Sequence, residues 1–235
     1  MAYIYEYIRT RGVELLNFEE HYLHLDELMN KHFYTHLKFS REELRRHICH
    51  ELQKGNYSPT AINAVYVRVS PYTTEPEIEI EEIYYETFSI RALRPQGYAC
   101  PVGSDLILEN NSVREALIDL NRTMAQITQD DVAIWVNRKD EIVAIDGASV
   151  IAVFEDEIRF SSSGNGVKFN LAYNAMMECE ENVTRGPIYT SELSRAKEIM
   201  SIDHRGIMVL ESFDDHFYID IVAGKIAAKV NEAEK

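Results

Sequence analysis

The chain has 235 residues, 46% of them hydrophobic, which suits one large domain or two small ones and excludes wholesale disorder. Its 39 acidic and 24 basic side chains leave a net charge of −15, a surface that repels phosphate backbones and argues against nucleic-acid binding. The opening MAYIYEYIRTRG holds no apolar run of signal-peptide length, and no window approaches the ~18 apolar residues of a membrane helix, so a cytoplasmic protein without a membrane partner is expected.

Residues 2–9 alternate and are rich in Tyr and Ile, which predicts a strand; Arg11-Gly12 turns the chain and VELL supplies a hairpin partner. Leu25, Leu28, Met29 and Phe33 recur at helical spacing and predict a helix from Phe18 to Phe33. Ser40 and Glu43 form a capping box that opens a second helix to about Gln53. AVYVRVS (64–70) reads as a strand. In the acidic stretch EPEIEIEEIYYETFSIRAL, Ile78 and Ile80 share one face while Glu77, Glu79 and Glu81 share the other, which predicts a half-exposed strand protected from edge pairing.

Pro95, Gly97, Pro101 and Gly103 punctuate the middle and place a domain boundary there, giving an N-terminal α/β domain (1–96) and a strand-rich C-terminal α/β domain (97–235). Ser112 and Glu115 form a second capping box. Val113, Ala116, Leu117, Leu120, Met124 and Ile127 then form one stripe, predicting a helix from about 112 to 128. VAIWV, EIVAI, VIAVF and EIRFS read as strands, FNLAYNAMMEC as a helix, PIYTS as a strand and SELSRAKEIM as a helix. IMVL and FYIDIV read as strands before a helical tail. The fold class is α+β, in α/β layers.

Several segments together resemble the class IV aminotransferases. These include branched-chain and D-amino-acid aminotransferases and 4-amino-4-deoxychorismate lyases, which share the pyridoxal-phosphate fold type IV. Glu6-Tyr-Ile-Arg9, Gly12 and His21-Tyr-Leu-His24-Leu25 resemble the family's opening strand, glycine turn and first helix. Asp130-Asp131 before VAIWV, and Asp146-Gly-Ala-Ser-Val150 after the following turn, resemble its acidic pair and the segment carrying its glutamate. The run from Ala196 and Glu198 to Asp203, His204, Gly206 and Ile207 resembles its late A-D-E-(V/I)-F-x-T-x-T-x-G-I segment. The resemblance implies a homodimer with pyridoxal phosphate in a cleft between two small domains. It also implies a lysine, on the lead-in to a helix, joined to the cofactor as a Schiff base.

The register that keeps the helix length places that lysine at Asn110 and the family's following arginine at Arg114. The rival register, with Asn121-Arg122 in the signature, would start the helix inside its own apolar stripe. Whichever register is used, no lysine stands between Lys54 and Lys139. An asparagine amide cannot form a Schiff base, and Asn110 reads better as a short polar residue beside a helix start. The arginine that the resemblance assigns to the cofactor phosphate corresponds to His24, which lacks a guanidinium fork. The glutamate assigned to the pyridine nitrogen corresponds to Asp146, for which turn and ligand roles both stand. A phosphate cup is represented by Ser161 to Gly164 and by Gly166, Val167 and Lys168, whose backbone amides and amine suit an anion. Its late threonine corresponds to Asp203-His204, where an aspartate would repel a phosphate. Lys168 is the one candidate for a relocated amine, although a solvated helix-start lysine is the favoured reading.

The three cysteines, Cys49, Cys100 and Cys179, match neither a disulfide framework nor a zinc spacing. His21/His24, His32/His36 and His47/His50 have metal-pair spacing, but no third ligand accompanies them, so no metal is expected. Trp135 reads as core. Three functions follow. The first is a class IV aminotransferase-like protein that has lost its lysine and keeps a small-anion site. The second is an active pyridoxal-phosphate enzyme using another amine. The third is a non-catalytic protein working through its acidic face.

Overall fold

The computed structural model describes residues 2–55, 57, 60, 62–83, 87–103, 109–128, 131–180 and 182–234, the side chains of 125–128 excepted. Asp130 and the Ile127 side chain lie outside the described residues. The chain folds as two compact units: Met1–Thr87 with Glu109–Ser112 and Glu234–Lys235, and Phe88–Leu108 with Val113–Ala233. No helix among the described residues is long and apolar enough to cross a membrane.

The first unit contains β1 (Ile4–Arg11), β2 (Glu14–Leu15), α1 (Phe18–Phe33), α2 (Arg41–Lys54), β3 (Ile62–Val69) and β4 (Glu77–Glu82). Its antiparallel sheet has the order β2-β1-β3-β4. Ile4, Ile8, Val65 and Val67 pack with Leu25, Leu28 and Met29 of α1 and Leu44, Ile48 and Leu52 of α2. Each such side chain contributes roughly 1.5–3 kcal/mol of burial. The Ser40 capping box is formed. On edge strand β4, Ile78 and Ile80 lean on the core, while Arg68 holds Glu77 and Glu79 at 2.9 and 3.0 Å.

The second unit contains β5 (Gln96–Pro101), α3 (Ser112–Thr128), β6 (Val132–Val136), β7 (Ile142–Ile145), β8 (Ser149–Val153), β9 (Ile158–Ser161) and α4 (Val167–Met177). After these come β10 (Val183–Gly186), β11 (Glu198–Asp203), β12 (Gly206–Val209), β13 (Ser212–Phe213), β14 (His216–Phe217) and α5 (Ile221–Ala233). One sheet has the order β10-β9-β8-β11-β12, the other β14-β13-β5-β6-β7. Trp135 is fully buried on β6.

Several expectations are corrected here. SELSRAKEIM is not a helix: a short 3-10 turn over Thr190–Arg195 precedes β11, whose Ile199, Met200 and Ile202 are buried between β8 and β12. Tertiary burial overrides local propensity there. The strand expected at PIYTS lies just before it, at Val183–Gly186, and most of FYIDIV is loop and helix start. Ser112 is the first helical residue of α3, and its N–H donates to the Tyr3 carbonyl at 3.0 Å.

Helix α3 spans the predicted residues, and its apolar stripe does not face inward as a unit. Val113, Leu120 and Met124 are 47, 57 and 45% exposed, whereas Arg114 and Asn121 are buried and Leu117 and Ile118 are partly covered. Polar anchors set the rotation of the helix. Arg114 donates from Nε to the Gly147 carbonyl at 3.0 Å and again from Nη2, and the Tyr98 hydroxyl donates to the Asn121 carbonyl at 3.3 Å.

Candidate functional site

In the second unit the predicted residues Asp146, Gly166, Val167, Lys168 and His204 gather at one end of the β10-β9-β8-β11-β12 sheet. Asp146 and Gly147 are the central pair of a two-residue turn from β7 to β8, with φ of 48° and 73°. Ile145 and Ala148 exchange both backbone hydrogen bonds across it, at 3.0 and 2.8 Å, which is the geometry of a type I′ turn. Asp146 is therefore a turn residue, and its carboxylate also points into a charge network. Arg122 approaches it from α3 at 3.3 and 3.4 Å, and Arg205 lies 3.9 Å away.

Arg205 belongs to the tight β11–β12 hairpin. It chelates Asp203 from Nε at 3.0 Å and Nη2 at 2.6 Å, and its backbone N–H donates to the same carboxylate at 2.7 Å. Burial alone would raise the Asp203 carboxyl, but the charges of Arg205, His204 and Arg91 hold it well below the usual carboxylate range. Gly206 closes the hairpin with φ 124°, where a Cβ would collide with the Ser89 carbonyl. The aspartate that looked repulsive in sequence is thus neutralised by its neighbour two residues on.

The loop before α4 is fastened to the same end. Ser149 Oγ donates to the Asn165 carbonyl at 2.9 Å and accepts from the Asn165 N–H at 3.1 Å. Ser161 and Ser163 share a hydroxyl contact of 2.7 Å. Gly166, with φ 92°, leads into α4 and offers no side-chain cap. Lys168 departs from the solvated reading: it is 5% exposed. It shares the inward face of α4 with Ala172, one turn on, so packing of the first turn carries it inside. Arg122 and Arg205 supply the counter-charges of Asp146 and Asp203 here, and Glu141 accepts the Ser162 hydroxyl at 2.6 Å in the loop before α4.

The other two predicted residues, His24 and Asn110, belong to the first unit. The Asn110 carbonyl accepts the Tyr5 N–H at 3.1 Å, so the Glu109–Ser112 segment pairs with the start of β1. The His24 Nδ1 is bonded to the buried Glu6 carboxylate, and His21 lies 3.6 Å from its other oxygen. Burial pushes Glu6 upward, yet His24 and His21 pull it well below the usual carboxylate range. Burial lowers His24, and the Glu6 charge raises it further, for a net rise above 6.5. His32 contacts Glu109 at 2.8 Å and His36 contacts Asp26 at 2.8 Å; no group able to hold a metal exists among the described residues.

Sequence reasoning missed Arg122 and Arg205 as partners of the two aspartates; the Asp-x-Arg spacing of Asp203 and Arg205 is the signal that was available. It also missed Glu198. This buried carboxylate accepts the N–H groups of Val222 and Ala223 at 2.7 and 2.9 Å and so caps α5 from a neighbouring strand.

A scan against protein-family models finds no match, and a search of curated proteins finds no similar sequence. Solved structures do match. A Legionella pneumophila protein assigned as a 4-amino-4-deoxychorismate lyase superposes with a TM-score of 0.81 at 13% identity, over 99% of this chain and 91% of that one. A hypothetical aminotransferase from Mycobacterium tuberculosis in its PLP-bound form gives 0.77 at 11% identity, over 98% and 88%. A branched-chain aminotransferase from Thermoproteus uzoniensis with norvaline gives 0.75 at 13%, over 97% and 84%. The chain has the fold of these proteins, pyridoxal-phosphate fold type IV.

Proposed function

We propose that this chain is a divergent member of the class IV aminotransferase family that has given up lysine-based catalysis and keeps a small-anion site at the start of α4. The observation that carries this reading is the stretch from residue 55 to 138, which contains no lysine. The residues present do not fit a Schiff-base-linked pyridoxal phosphate. Asn110 offers no nucleophile. Asp146 already has Arg122 and Arg205 as counter-charges, so it has no need of a protonated ring nitrogen. His24 is committed to Glu6. What remains suited to an anion is the first turn of α4, with the Gly166 and Val167 amides and Lys168, at the end of the sheet where Arg205 stands.

Calorimetric titration with inorganic phosphate and with pyridoxal phosphate tests the reading. The expected result is the same affinity for both within about threefold, since only the phosphate is recognised. Pyridoxal phosphate binding more than about tenfold tighter would count against it.

The burial of Lys168 favours a second reading, in which that amine replaces the missing one and the chain is an active enzyme; its signature is covalent attachment at Lys168. We also propose a homodimer, supported by the exposed apolar residues Val113, Leu120 and Met124 on α3. Leu120→Glu is expected to shift sedimentation from dimer to monomer, and a wild-type monomer would remove this proposal.

A further inference from the structure

One rung of the first unit's sheet is polar on its core face. Thr10 on β1 stands opposite Asn63 on β3 in the antiparallel register. Strand side chains alternate, so the next pair on the same face is Ile8 and Val65, both packed in the core with α1 and α2. Thr10 and Asn63 are each 0% exposed. The Thr10 hydroxyl oxygen and both side-chain amide atoms of Asn63, Oδ1 and Nδ2, have no hydrogen-bond partner among the described residues.

A hydroxyl or amide taken out of water without a new partner loses its hydration and gains nothing in return, and buried polar side chains are as a rule bonded. Residues directly opposite on neighbouring strands have Cβ atoms about 4.5–5.5 Å apart, so these three atoms form a single cluster. The rest of the rung bounds it. Buried Leu15 on β2 flanks Thr10 with an apolar side chain. Glu82 on edge strand β4 flanks Asn63 on the other side and is exposed, so the rung runs out to solvent there.

We propose that Thr10 and Asn63 form an internal binding site for a single water molecule. Both side chains are neutral, and each can donate and accept, so the occupant must do both and carry no charge. A buried water characteristically makes about three hydrogen bonds to polar groups that lack other partners, and Oγ1, Oδ1 and Nδ2 supply that set. The water completes the polar rung between β1 and β3 and exchanges with bulk solvent at the Glu82 end. This inference does not depend on the anion reading of the second unit.

Oxygen-17 magnetic relaxation dispersion tests this, because it counts long-lived internal waters and is blind to protein hydroxyls. Wild type is compared with the double variant Thr10→Val/Asn63→Leu, which keeps the size of the pair and removes its polar atoms. The double variant is expected to lose dispersion amplitude equivalent to about one water molecule. Equal amplitudes in the two proteins would overturn the proposal. Should the double variant fail to fold, wild type decides by proton NMR. NOE and ROE cross-peaks of opposite sign are then expected between water and the Asn63 side-chain amide protons. No such cross-peaks, or cross-peaks with the equal signs of chemical exchange, would overturn it.

Discussion

The two units handle charge in opposite ways. In the first, Glu6 and Arg9 are buried and each is answered at short range, by His24 and His21 in one case and Glu234 in the other. In the second, Asp146 and Asp203 are partly exposed and are answered by Arg122 and Arg205. A buried pair is all cost unless both partners stay, whereas a partly exposed pair is worth less and exchanges partners at lower cost. The contrast suggests that the Glu6–histidine cluster of the first unit serves architecture and that the arginine–aspartate pairs of the second serve binding.

Removing Glu6 should break the comparison most severely. Glu6→Ala strands His24 and His21 and the Tyr7 N–H, and a loss of about 3–5 kcal/mol in denaturant unfolding is expected. His24→Gln should cost less, about 2 kcal/mol, and only at the right pH. The folded-state pKa of His24 lies above 6.5, so its contribution is full below that value and fades as pH rises through the folded pKa. Glu6 has a depressed folded pKa, so its own contribution is present above 4.5 and fades only in strong acid. Thermal melts from about pH 5 to about pH 9 should therefore show wild type and His24→Gln converging on the alkaline side; a constant gap would mean that packing alone is lost.

In the second unit the effects should be smaller. Arg205→Met leaves Asp203 without its chelating partner and should cost about 1–2 kcal/mol, while also weakening phosphate binding. Arg122→Ala touches a half-exposed guanidinium at long range and should change stability by less than about 1 kcal/mol. If Arg122→Ala proved as destabilising as Glu6→Ala, the division between architectural and binding charges would fail.

Much of this arrangement was legible in sequence where a periodicity is enforced by one solvent-facing side. α1, α2 and the alternating β4 fall where their apolar spacing puts them. It was illegible where both sides are buried or where a polar anchor decides. β11 is covered on both faces and carries no alternation, so SELSRAKEIM kept only its helix-forming composition. α3 turns its apolar stripe outward because Arg114 and Asn121 have partners on the protein side. Among the site residues, Asp146 and the Gly166–Lys168 turn were readable from turn chemistry. The counter-charges Arg122 and Arg205 reach them only through tertiary contacts, which no local pattern encodes.

The central claim is that this fold persists here without its reactive amine. Intact-mass measurement of the protein after incubation with pyridoxal phosphate and reduction with borohydride tests it most directly, with peptide mapping of any modified site. The account predicts unmodified protein, or slow, scattered labelling of the exposed lysines that inorganic phosphate does not suppress. Rapid, stoichiometric modification of a single lysine, Lys168 above all, would contradict it and establish a relocated catalytic amine.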